Sequence, residues 1–149
     1  MFREYLHYRF CGILLLLMNL SLSAIVFFIV RENRGFEYHY IHTIALAAYT
    51  FCAMALSIID VIKYRKYESP VMSAAKAIGL ACALVSVLSL ETAMLSAFGN
   101  NEDIRFRQII TAATGTAVCV IILAMALYMI VKSTKEIKRL KKEKTRDEQ

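Results

Sequence analysis

Residues 71–98 read VMSAAKAIGLACALVSVLSLETAMLSAF. Across this stretch only Lys76 and Glu91 carry charge. As a helix rising 1.5 Å per residue it reaches about 42 Å, more than the ~30 Å of a bilayer's hydrocarbon core. Small residues recur along it at alternating steps of three and four: Ala75, Gly79, Cys82, Ser86, Ser89, Ala93 and Ser96. That 3.5-residue period traces one helix face, and small side chains let helices approach closely where lipid is as apolar as leucine. The segment is expected to span a membrane with this face packed on a neighbour.

Outward from it, three more apolar stretches, at about 10–30, 41–62 and 107–131, are long enough to cross. The 149 residues are 58% hydrophobic, with one proline and no tryptophan, and the mean hydropathy is +0.52, too apolar for a soluble domain of this size. Backbone amides in lipid have no water to bind, so each span must be helical. The fold class is therefore all-α, a polytopic transmembrane four-helix bundle over residues 1–132, followed by a basic cytoplasmic helical tail, 133–149. The opening MFREYLHYRF and the apolar run after it resemble a secretory signal in order, but the run is too long and no small-residue cleavage site closes it. It is expected to be retained.

Lysine and arginine sort between the two sides. One holds Arg3, Arg9, Lys63, Arg65, Lys66 and the tail, and the other only Arg31, Arg34, Arg105 and Arg107, which places both termini in the cytoplasm of a multi-pass protein of the cell membrane. From Lys132 onward the chain carries eight basic residues. Lys135, Lys138, Arg139, Lys141 and Lys142 are the expected contacts to anionic lipid, each worth about 1 kcal/mol near the surface. Orientation accounts for the excess positive charge, so nucleic acid is not an expected partner. Ser69 is placed as an N-cap with Pro70 in the first turn of the third helix. Gly99 is placed as its stop, and Tyr38 and Tyr40 for the headgroup belt.

Inward faces are expected on the other helices from Gly12, Asn19 and Ser23, from His42, Tyr49, Ala53, Ser57 and Asp60, and from Thr111, Gly115 and Cys119. Asn19, Gly79, Cys82, Ser86, Ser89, Ala93 and Gly115 are the principal expected helix-packing positions. Asp60 and Lys76 flank the turn between the second and third spans at similar depth and are read as a structural ion pair or snorkelling groups. Glu91 stands two turns inside the third span, nearly opposite the small-residue stripe. It is the candidate proton or cation site, with His42, Tyr49 and Arg107 as expected partners. The four cysteines fall one per span without a C-x-x-C, so a redox enzyme is not expected. His7, His39 and His42 are not spaced as a ligand set. Neither a metal nor another cofactor is expected, and no catalytic motif is present.

The run SPVMSAAKAIGLACALVSVLSLETAMLSAFG, followed by TGTAVCVIILAMALYMIVKSTK, resembles four-span membrane proteins of bacteria that are uncharacterised; the likeness covers the last two spans and the turn before them and implies no activity. Small multidrug exporters share the four-span size, but their essential carboxylate lies in the first span, where this chain has Asn19. That function is not carried over. The expectation is a non-enzymatic accessory membrane component that binds a protein partner or its own copies. The alternative is a small proton- or cation-coupled transporter or channel using Glu91.

Overall fold

The apolar stretches form four helices: α1 (Phe2–Glu32), α2 (Tyr40–Tyr64), α3 (Pro70–Phe98) and α4 (Ile104–Asp147). The computed structural model describes residues 1–32, 40–98 and 104–149. Each helix is long and apolar enough to cross a membrane, and the architecture is an all-α four-helix bundle. The expectations for Arg34, Tyr38, His39 and Gly99 lie outside the described residues.

The helices overrun the apolar stretches because a helix continues until something stops it. No glycine or proline follows Gly115, and α4 runs 44 residues into the basic tail. Its packing also continues past residue 132: Ser133 is fully buried and Ile137 nearly so. At the start of α3 the expected cap is present. Ser69 Oγ accepts the Met72 amide at 3.3 Å, and the Ser69 carbonyl accepts the Ser73 amide at 3.2 Å, satisfying donors that the first helical turn leaves orphaned.

α1 is the central element. It touches all three other helices, and its contact with α4 is the most extensive in the bundle. Two glycines make that contact close. A Cβ on Gly12 would lie 3.1 Å from Ile130 Cγ1 and from Met129 Cβ, and a Cβ on Gly115 would lie 2.8 Å from both γ-methyls of Val26. The core of Cys11, Leu15, Met18, Ile25, Ile78, Ile122 and Met129 fills behind this seam. α3 packs on α1, α2 and α4, whereas no packing contact joins α2 to α4 among the described residues. Both termini and the α2–α3 turn share one end, called here the terminal end. The opposite end is the loop end.

Large apolar side chains cover the outside of every helix, including Phe27 at 57% exposure, Phe51 at 70%, Leu90 at 62% and Val131 at 58%. A surface apolar around its whole circumference suits lipid and not water.

Gly115→Ala is expected to destabilise the bundle by about 1–3 kcal/mol through overpacking against Val26. Gly79→Ala, whose new Cβ would meet nothing nearer than Ser57 Oγ at 3.9 Å, is expected to be neutral or slightly stabilising. Thermal unfolding in detergent measures both, and adding Val26→Ala is expected to rescue Gly115→Ala.

Candidate functional site

The small-residue stripe of α3 divides in two. Near the terminal end it is packed on α2: Ala75 and Cys82 are buried, Ser57 Oγ donates to the Ala75 carbonyl at 3.0 Å, and the Cys82 thiol points at the Thr50 carbonyl, 3.8 Å away. Toward the loop end Ser86, Ser89, Ala93 and Ser96 are exposed. There α2 and α3 enclose a groove of about 950 Å³ lined by both helices, with Thr43, Ala47, Thr50 and Phe51 on one wall and Ser86, Ser89, Ala93 and Ser96 on the other. The stripe expected to pack on a neighbour is thus buried within the chain at Ala75 and Cys82, and exposed at Gly79 and from Ser86 onward.

The groove wall is smooth because its hydroxyls are folded onto their own helix. Ser86, Ser89 and Ser96 donate to the carbonyls of Cys82, Val85 and Thr92 at 2.8–2.9 Å, four residues back in each case. With their protons so placed, these serines add little bulk and no unmet donor. On the α2 wall of this hollow, Phe51 and Met54 are 70% and 47% exposed.

Glu91 lies elsewhere, at the contact of α3 with α4. Its Oε1 is 3.3 Å from Thr114 Oγ1, which also donates to the Ile110 carbonyl at 2.8 Å. The carboxyl meets Thr114 rather than the expected His42, Tyr49 or Arg107. His42 stacks on Phe28 with ring centroids 5.8 Å apart, and Tyr49 packs against the core. One turn beyond Glu91, Arg107 Nη1 donates to the Leu95 carbonyl at 3.4 Å. Glu91 is not among the residues lining the groove. Asn19 is buried, and its amide oxygen has no partner among the described residues. It borders a cleft of about 380 Å³ between α1 and α4 with Ser23 and Cys119.

At the terminal end, Asp60 is only 5% exposed, and its Oδ2 lies 2.7 Å from His7 Nε2. Lys76, the expected partner of Asp60, is exposed on α3 and borders a separate surface pocket with Tyr5, Glu68 and Lys132. The reason is rotational. Asp60 turns toward α1, whereas Lys76 turns outward on α3. His7 is the residue sequence reading missed, because the first nine residues look like a flank outside the apolar run. The helix begins at Phe2 instead, so His7 and Cys11, four apart, share a face one turn apart. The donor atoms of His7, Cys11 and Asp60 all lie within 4.8 Å of one another. The signal available in the sequence was the H-x-x-x-C spacing near the same end as Asp60.

In the tail, Arg139 pairs with Glu136 at 3.4 Å and Glu143 at 3.5 Å, while Lys135, Lys138, Lys141 and Lys142 are exposed.

Glu91→Gln retains an acceptor for Thr114 and is expected to change stability by less than about 0.5 kcal/mol, whereas Glu91→Leu, which leaves Thr114 facing an apolar group, is expected to cost more. Thermal unfolding of both variants in one detergent measures the difference. No protein-family model, curated protein or solved structure matches this chain.

Proposed function

We propose that this chain is a non-enzymatic, multi-pass protein of the cell membrane with both termini in the cytoplasm, and that it works by docking a transmembrane helix in the α2–α3 groove. The observation that carries this reading is the exposed half of the small-residue stripe, which forms one wall of a hollow of about 950 Å³. In lipid, helices associate by close packing. A smooth, small-residue wall beside an open hollow offers an incoming helix far more contact than it offers disordered acyl chains.

The occupant we assign is the same face of a second copy. A two-fold contact uses one patch against itself, so the patch must hold both hollow and projection. This one does, since Phe51 and Met54 on the α2 wall of the groove are also exposed outward. Placing those side chains of one copy in the groove of the other satisfies both at once.

Two other polar features stand apart from the groove. Glu91 is turned to Thr114 and does not line it. The cluster of His7, Cys11 and Asp60 lies at the terminal end, and none of the three lines it. The exposed lysines of the tail face the anionic inner leaflet, where each contributes about 1 kcal/mol.

The groove-filling pair Ser89→Leu and Ala93→Leu is expected to convert a two-copy species into single copies, with Ala124→Leu on the exposed face of α4 as a control that stays paired. Counting subunits by single-molecule photobleaching in membranes reads the result. A wild-type protein present as single copies, or a filled variant still paired, would count against the assignment. For the orientation, a cysteine placed at Thr145 is expected to react with a membrane-impermeant maleimide only after the cells are opened. Labelling of intact cells would reverse the topology.

A further inference from the structure

We propose that His7, Cys11 and Asp60 form a binding site for a divalent transition-metal ion of the zinc type, clamping the start of α1 to the end of α2. This rests on the terminal-end cluster alone and stands or falls separately from the helix-docking reading.

Donor chemistry comes first. An imidazole nitrogen, a thiolate sulfur and a carboxylate oxygen are the three ligand types that zinc takes from proteins, and three protein donors leave a fourth position open for water. The mixed soft and borderline set selects against magnesium and calcium, which prefer oxygen alone. Geometry agrees. In a tetrahedral zinc site with bonds of about 2.0–2.3 Å, donor atoms stand roughly 3.3–3.7 Å apart, and here all three lie within 4.8 Å of one another. The 2.7 Å contact between His7 and Asp60 must open by about an ångström to admit the ion between them.

Charge is the stronger argument. Asp60 is 5% exposed, and among the described residues its ion-pair partner is a histidine, with no lysine or arginine paired to it. A buried carboxylate is costly without a compensating cation. A divalent ion bound by one carboxylate, one thiolate and one neutral imidazole makes the cluster neutral overall. Binding releases the Cys11 thiol proton to solvent. Access is also built in: Cys11 is fully buried while the His7 side chain is 29% exposed, so the histidine forms the mouth and the thiol the floor. The other three cysteines lie elsewhere. Cys52 is exposed on α2, Cys82 faces Thr50, and Cys119 accepts from Ser23 at 3.4 Å.

The probe is Co²⁺ titrated into the full-length protein in detergent, with zinc as competitor. The wild type is expected to take up one Co²⁺ per chain with a thiolate-to-cobalt charge-transfer band that zinc abolishes. Cys11→Ser is expected to lose the band, Asp60→Asn and His7→Gln to weaken binding at least about tenfold, and Cys52→Ser, Cys82→Ser and Cys119→Ser to keep it. Absence of stoichiometric binding in the wild type, or a band that survives Cys11→Ser, overturns the assignment. Should a variant fail to fold, X-ray absorption of the zinc-loaded wild type decides alone. One sulfur at about 2.3 Å with nitrogen and oxygen neighbours supports the site, and a shell of oxygen and nitrogen only, or of several sulfurs, refutes it.

Discussion

The close approach of α1 and α4 is the constraint from which the remaining arrangement follows. With Gly12 and Gly115 removing side chains where Met129, Ile130 and Val26 press in, these two helices approach closely at both positions, with a cleft of about 380 Å³ between them. α3 lies across this pair and reaches both members. Among the described residues α2 has α1 and α3 as neighbours and no packing contact with α4. It is the helix least buried in the bundle, with 17% of its most apolar window covered. In a membrane that deficit costs little in hydrophobic terms, because lipid replaces protein as an apolar surround. What is lost is dense packing, and that loss is what a docking surface requires.

α2 has its shortest inter-helix polar contacts at the terminal end, while farther along Thr50 lies 3.6 Å from Met18 Sδ and His42 stacks on Phe28. Ser57 on the Ala75 carbonyl and Asp60 on His7 hold its last two turns to α3 and α1, and the capped turn at Ser69 sets where α3 departs. These polar contacts, each typically worth about 1 kcal/mol net, cluster at the terminal end. Farther along, Ser86, Ser89 and Ser96 of α3 bond to their own helix, and the groove lies in this half, toward the loop end.

Much of this was legible in the residues, for physical reasons that also explain what was not. Span number and helical state follow from apolar length and unmet backbone groups, and both appear as expected. Ser69 and Pro70 announce a helix start, and the start is there. Which face of a helix meets which neighbour is a different matter. The α3 stripe carries one period from Ala75 to Ser96, yet Ala75 and Cys82 are buried whereas Gly79 and the positions from Ser86 onward are exposed. Asp60 and Lys76 share a depth, but depth says nothing of rotation, and rotation gives Asp60 to α1. Glu91 has Thr114 beside it because α4 packs there, and hydroxyls scattered through an apolar helix do not declare their partners. His7 was hidden by the assumption that a helix begins where the apolar run begins.

The position of the fastening also connects the two ends of the molecule. From Asp60 to Thr43 is seventeen residues, about 25 Å of rigid helix, and the groove occupies that arm. A tilt of about 5° at the terminal end displaces the far end of α2 by about 2 Å at that length, enough to separate a groove that accepts a side chain such as Phe51 from one that does not. Among the described residues no packing contact with α4 resists such a movement, but His42 on Phe28 and Thr50 on Met18 hold α2 to α1 along the same arm. These two contacts and the polar joint of His7 and Asp60 together fix where α2 stands against α1.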